Sequence, residues 1–181
     1  MILQSVIESP FAENAKAHLQ HLTETMSFRG EKYTYEHINY RCDVTGMEFT
    51  TDDMDFDNLE RVYDQYRAKH GIPSPSELKE MREQYGLSAA KMSEILGLGT
   101  NQYRLYEEGQ MPSETIGKML QSIRTPAVFL GYIENCKGQM SEKEYDKLCQ
   151  KIQKTFIQEI KRKPGLTWFH EFFTPRVAAM L

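Results

Sequence analysis

Leu87-Ser88-Ala89-Ala90-Lys91-Met92-Ser93-Glu94-Ile95-Leu96-Gly97-Leu98-Gly99-Thr100-Asn101-Gln102-Tyr103-Arg104-Leu105-Tyr106-Glu107-Glu108-Gly109 is the stretch whose reading decides the fold. Ser88 can cap a helix that turns Met92, Ile95 and Leu96 inward and stops at Gly97-Leu98-Gly99. Thr100 can cap a second, running to Glu108 and stopped by Gly109. Two short capped helices around a glycine turn make a helix-turn-helix, which presents its second helix to the major groove of DNA. Tyr103 and Tyr106 are three apart and face inward, which leaves Thr100, Asn101, Gln102, Arg104 and Leu105 outward. Asparagine and glutamine pair bidentately with adenine, and arginine with guanine or phosphate. The candidate DNA contacts are therefore Ser88, Lys91, Thr100, Asn101, Gln102 and Arg104. The alternative reading of these polar groups is an ordinary solvated face.

Working outward, helix signals continue on both sides. Ser76 can cap a helix carrying Leu78, Met81 and Tyr85, with Gly86 as its stop. Ser113 precedes Ile116, Met119, Leu120 and Ile123, and Pro126 opens a fifth helix with Val128, Phe129, Tyr132 and Ile133. Upstream, Gly71-Ile72-Pro73-Ser74-Pro75 reads as a linker, because two prolines and a glycine block helix continuation.

Ahead of the linker, Tyr33 to Tyr40 and Met47 to Thr50 read as two strands around Gly46. Phe11 to Thr25 reads as a helix, since Ala12, Ala15, Leu19 and Leu22 recur at steps of three and four. The acidic run from Asp52 to Asp57 suits the start of a further helix. At the other end, Ser141-Glu142-Lys143-Glu144 matches a capping box, and Tyr145, Leu148, Cys149, Ile152, Phe156 and Ile160 form one apolar stripe ending near Lys163. Trp168, Phe169, Phe172 and Phe173 cluster beyond it. This stripe and cluster exceed what one helix and a short tail bury against themselves, so the segment from about Thr125 onward is the expected dimer interface, with Lys143, Lys147, Lys151 and Lys154 left to solvent or flanking phosphates. The competing arrangement has the long helix packing back on its own bundle.

The resulting expectation is a mainly α protein. Residues 1–70 form a small α+β domain, 71–75 a linker, 76–135 a helix-turn-helix bundle, and 136–181 a helical extension that serves dimerisation.

Composition bounds the function classes. Of the 181 residues, 40% are hydrophobic and 27% charged, the usual balance of a globular chain. Met1 to Pro10 lacks the basic start and apolar run of a signal peptide, and no segment is apolar enough to span a bilayer, so a cytoplasmic protein is expected. Three cysteines, Cys42, Cys136 and Cys149, without a CxxC pair point to free thiols. The net charge of −4 hides an asymmetry: residues 1–75 carry 13 acids and 7 bases (−6), residues 76–135 carry 8 and 6 (−2), and residues 136–181 carry 5 and 9 (+4). Phosphate contact needs only a few local donors, so the total does not exclude DNA.

From Ser27 to about Asn135, about 110 residues, the chain resembles the MqsA/YgiT-type antitoxin family, in which a small zinc-binding domain precedes an Xre-like helix-turn-helix. The matching features are Phe28-Arg29-Gly30, Cys42, Leu78 to Arg82, Leu87-Ser88, Ser93 to Gly97, Asn101, Tyr106-Glu107-Glu108-Gly109 and Pro112-Ser113. The resemblance implies a dimeric autorepressor that binds operator DNA and neutralises a toxin protein through its other domain. Two departures stand out. The family reads DNA with an asparagine and an arginine four positions later, and here Leu105 follows Asn101 at that spacing, with Arg104 beside it. The family's zinc site needs two CxxC pairs, of which only Cys42 remains, so no metal or other cofactor is expected. His18-Leu19-Gln20-His21 could join Cys42 in a three-ligand site, but two polar positions flanking a helix explain it as well.

No GxSxG, HExxH, P-loop or nucleotide-binding glycine pattern is present, and Asp52, Asp53, Asp55 and Asp57 lack the glycine and terminal glutamate of a calcium loop. The expected function is non-enzymatic: sequence-specific transcriptional repression as the antitoxin of a toxin-antitoxin pair. The alternative is a protein-interaction adaptor whose helix-turn-helix no longer binds DNA.

Overall fold

The computed structural model describes residues 3–162. The chain divides into two compact units, Met1–Gly71 and Ile72–Leu181. In the first, a curled four-stranded antiparallel sheet is packed by one helix, and the described residues of the second form helices and their connecting turns. With 53% helix and 19% strand the protein is α+β, which corrects the expectation of a mainly α chain.

The correction comes from one segment. Where a helix was expected over Phe11 to Thr25, the chain forms strand β2 (Lys16–Phe28). β2 follows the short strand β1 (Val6–Glu8) and runs antiparallel along β3 (Glu31–Cys42) for twelve residue pairs, from Ala17 opposite Cys42 to Phe28 opposite Glu31. Arg29 and Gly30, at φ 48° and 83°, close this hairpin in two residues; both φ values are positive, as a two-residue turn matched to strand twist requires. Once the turn fixes the register, pairing along the whole hairpin outweighs the weak three-four periodicity of Ala12, Ala15, Leu19 and Leu22. β4 (Glu48–Phe49) then pairs with β3 through Tyr40 and Arg41, giving the order β1-β2-β3-β4.

Helix α1 (Asp52–His70) is capped by Thr51, whose hydroxyl accepts the Met54 N–H, and begins with Asp52, Asp53 and Asp55 against the positive end of its dipole. It passes from one face of the sheet to the other around the edge of β3. Its first turns bury Met54 with Ala17, Ile38 and Tyr40. Its last turns bring Tyr63, Tyr66 and His70 to Phe28 and Tyr33 on the opposite face. At the crossing, Asn58 Oδ1 accepts the Ile38 N–H and Asn58 Nδ2 donates to the Ile38 carbonyl, both at 2.9 Å, while Gln65 Nε2 donates to the Thr34 carbonyl. Two amide side chains thus take the place of a neighbouring strand at Ile38 and at the Thr34 carbonyl.

In the second unit, α2 (Pro75–Tyr85) is capped by Ser74 rather than Ser76. Ser74 and Glu77 form a reciprocal capping box with Pro75 in the first turn, so the proline that reads as linker opens the helix. Ile72, 4% exposed, packs against Gly117, where an added Cβ would stand 2.5 Å from Ile72 Cγ1. After α2 come α3 (Ala89–Ile95), α4 (Gln102–Glu107), α5 (Glu114–Ser122), α6 (Pro126–Asn135), one 3-10 turn (Lys137–Gln139) and α7 (Glu142–Arg162).

One core unites them. Leu78, Met81, Tyr85, Met92, Ile95, Tyr103, Leu120, Ile123, Phe129 and Ile133 share it with Tyr145, Leu148, Cys149 and Ile152 of α7. Tyr85 stacks on Phe129 at 4.4 Å and donates its hydroxyl to the Ile123 carbonyl. The first part of the apolar stripe of α7, Tyr145 to Ile152, expected at a dimer interface, therefore packs on its own bundle, and α7 lies against α2 and α6. Trp168, Phe169, Phe172 and Phe173 lie outside the described residues.

Candidate nucleic-acid interface

Ser88 caps α3 by accepting the Lys91 N–H, and the helix ends after Ile95 where Gly97 takes φ 64°. The Leu98 N–H then closes the helix end on the Ser93 carbonyl at 2.8 Å. Entry into α4 differs from the expectation. Asn101, not Thr100, is the N-cap; it stands at φ 63°, and its side chain caps nothing. A left-handed asparagine is tolerated because its short polar side chain suits that region. The cost is an uncapped helix start, and the consequence is an exposed carboxamide with no intrahelical task.

Two buried tyrosines hold α4 in place. Tyr103, fully buried, donates its backbone N–H to Ser93 Oγ and its hydroxyl to the Leu78 carbonyl, fixing α4 to both α3 and α2. Burial pushes its hydroxyl well above the ordinary tyrosine range, so it stays a neutral donor. Tyr106 packs into the same core. A third anchor was not read from sequence: Arg82 Nε donates to Glu107 Oε1 at 2.6 Å and its Nη1 to the Leu87 carbonyl, with side chains 18% and 11% exposed. The hydrogen bond that Arg82 donates to the Glu107 carboxylate raises its pKa further and holds it protonated. The spacing gives no signal for it, because the partners lie on α2 and α4, 25 residues apart.

The candidate contacts fall into two groups. Thr100, Asn101 and Arg104 are exposed at the start of α4, beside the 37%-exposed Leu105. Arg104 meets Glu108 at 3.5 Å in a solvent-exposed pair, which leaves its guanidinium exchangeable. Gln102 is half-buried and donates to Gln110 Oε1 at 2.8 Å. At the other helix, Ser88 is exposed but spent as a cap. Lys91 is 17% exposed and held by Glu94 at 2.8 Å and Glu144 at 3.0 Å; burial opposes its charge, yet these two carboxylates raise its pKa on balance. Among the candidates, Lys91 is therefore a tie between α3 and α7. The expected basic face of α7 is partly spent too, since Lys151 Nζ lies against Gly86 at the C-terminal end of α2, where a cation complements the helix dipole.

No known family model matches the chain, and no curated protein does.

The zinc site implied by the resemblance does not fit the residues present. On a strand, His18 and His21 are three apart and project to opposite faces of the sheet. His18 pairs with Arg41, so it also lies across the sheet from Cys42, which is opposite Ala17. Cys42 is buried, with Thr45 N–H donating to its sulfur at 3.5 Å; hydrogen bonds from Ser9 and Thr45 lower its pKa to about 7. Among the described residues no set of three or more His, Cys, Asp or Glu converges to hold a metal ion. Nor is any helix among them long and apolar enough to cross a membrane.

Proposed function

We propose that the second unit binds double-stranded DNA with the start of α4 in the major groove, and that the chain is a sequence-specific transcriptional repressor, the antitoxin of a toxin-antitoxin pair, acting in the cytoplasm as a two-fold dimer. One observation carries the reading. α4 is locked to α2 and α3 by Tyr103, Tyr106 and Glu107, while Thr100, Asn101 and Arg104 stand exposed in its first turn, with the Asn101 amide uncommitted. A rigid helix with a free carboxamide and a guanidinium at its exposed end is equipped for base-edge and phosphate contact. The antitoxin part rests on the resemblance of residues 27–135, and toxin binding falls in this reading to the first unit.

A second reading, an adaptor that no longer binds DNA, draws on a specific observation as well. Arg82, Lys91, Arg104 and Arg124 of the second unit all meet carboxylates. Titrating labelled DNA from upstream of the gene at two salt concentrations separates the two. The repressor binds that fragment specifically and loses affinity as salt rises, whereas equal, weak binding to every fragment selects the adaptor.

A further inference from the structure

The two long edges of the first unit's sheet are treated differently. Along β3, Asn58 occupies both outward backbone groups of Ile38, Gln65 takes the Thr34 carbonyl, and β4 pairs with Tyr40 and Arg41. Along β2, β1 pairs only with Lys16, Ala17 and His18, and the last bond on that side runs from the Leu19 N–H to the Ser5 carbonyl. That bond fixes the parity: odd-numbered residues of β2 turn their N–H and C=O outward, and even-numbered ones toward β3. Among the described residues, nothing pairs with the outward groups of His21, Thr23, Thr25 and Ser27. The segment from His21 to Phe28 also lacks the usual blockers of an open edge, with no proline, lysine or glycine and Glu24 as its one acid.

We infer that this edge pairs with the same edge of a second copy of the chain, antiparallel about a two-fold axis at Thr25. Parity requires the sum of opposed residue numbers to be even, so only Glu24 or Thr25 can lie on an axis that uses the whole free segment. An axis at Glu24 opposes two glutamates directly, a destabilising pair. With Thr25 on the axis, Thr25 faces Thr25, Thr23 faces Ser27, Glu24 faces Met26, and Leu22 faces Phe28. Thr23–Ser27 and Thr25–Thr25 are hydrogen-bonded pairs, about six new backbone bonds in all. The half-buried Leu22, Met26 and Phe28 then gain cover from the other copy. Charge agrees with this register. Thr23 is flanked on β3 by Glu36 and Ser27 by Lys32, so each of the two Thr23–Ser27 rows across the joined sheet ends in a glutamate on one copy and a lysine on the other, while the Thr25 row ends in Thr34 on both. The inference names a surface for the two-fold dimer of the repressor reading but stands on the first unit alone.

The test uses the full chain. Under mild oxidation Thr25→Cys forms a covalent dimer and Thr23→Cys does not, because the Thr23 pair lies about 13 Å apart in this register; the native Cys42, Cys136 and Cys149 are all buried. By light scattering the unmodified chain is a dimer, and Thr25→Lys weakens it about tenfold or more by placing two ammonium groups on the axis. Thr23→Glu combined with Ser27→Lys retains it, since the new charges face each other. Should Thr25→Lys fail to fold, the cysteine pair decides. A chain that is monomeric throughout, a dimer indifferent to Thr25→Lys, or crosslinking no better at Thr25 than at Thr23 overturns the pairing. A monomer that still binds its upstream DNA specifically overturns it while leaving the repressor reading intact.

Discussion

Asn101 carries two properties that a simple truncation would confuse. Its exposed amide is the proposed base contact, and its φ of 63° makes it a backbone device, because residues other than glycine and asparagine resist the left-handed region at about 1–2 kcal/mol. Asn101→Ala therefore removes the amide and adds strain together. Asn101→Gly removes the amide alone and leaves the entry to α4 relaxed. The expected outcome is an unchanged or slightly raised melting temperature, with about 1–3 kcal/mol lost from binding to the cognate fragment and little from unrelated DNA. Equal operator affinity for the glycine variant removes Asn101 from the interface. The exposure of Thr100, Asn101, Arg104 and Leu105 was legible from the spacing of Tyr103 and Tyr106, but the half-burial of Gln102 against Gln110 was not. The left-handed cap was not, because serine, threonine and asparagine all suit an N-cap and Thr100 comes first.

At the level of elements, helices read well where a cap and a stop bracket one apolar face, as Ser88 and Ser113 do. β2 was misread because its even-numbered residues (Leu22, Met26, Phe28) and its odd-numbered ones (Ala17, Leu19) bury themselves on opposite faces at opposite ends, so no clean alternation exists. That pattern records α1 crossing from one face to the other, a tertiary fact absent from any local window. The hairpin tip is held to α1 by Glu31, which accepts the Tyr33 hydroxyl and meets His70 Nε2 and Lys69 Nζ at 3.1 Å. The Tyr33 hydrogen bond first, then His70 and Lys69, lower the Glu31 pKa from 4.5 to about 2. A depressed carboxylate contributes stability above its ordinary pKa and loses it as pH falls toward the folded value. Glu31→Gln should accordingly unfold the first unit at lower urea than wild type at neutral pH. The gap should close between pH 4.5 and about 2, followed through the unit's tyrosine signals in NMR spectra. A gap that persists at the acid end would mean the carboxylate charge is not what fastens the tip.

The two units have separate cores, one around Ala17, Ile38, Tyr40 and Met54, the other spanning Leu78 to Ile152. From sequence, residues 136–181 read as an appendage to a finished bundle, because the periodicity of a helix shows how much apolar face it has but not which surface takes it. Tyr145, Leu148, Cys149 and Ile152 in fact complete the core, and Lys91 and Glu144 tie α3 to α7 from outside. Burying a side chain of leucine or isoleucine size contributes about 1.5–3 kcal/mol. Tyr145, Leu148 and Ile152 are at least that large, and the three together are comparable with the whole stability of a small domain, about 5–15 kcal/mol. Truncation after Asn135 should therefore unfold the second unit rather than yield a folded, shortened one. Hydrogen exchange is the measurement: amides of α2 to α6 lose protection, whereas those of β2 and β3, in a core with no share in α7, keep it. Protection retained in α2 to α6 would show that the bundle closes without its last helix, and would return the stripe from Tyr145 to Ile152 to a role between molecules.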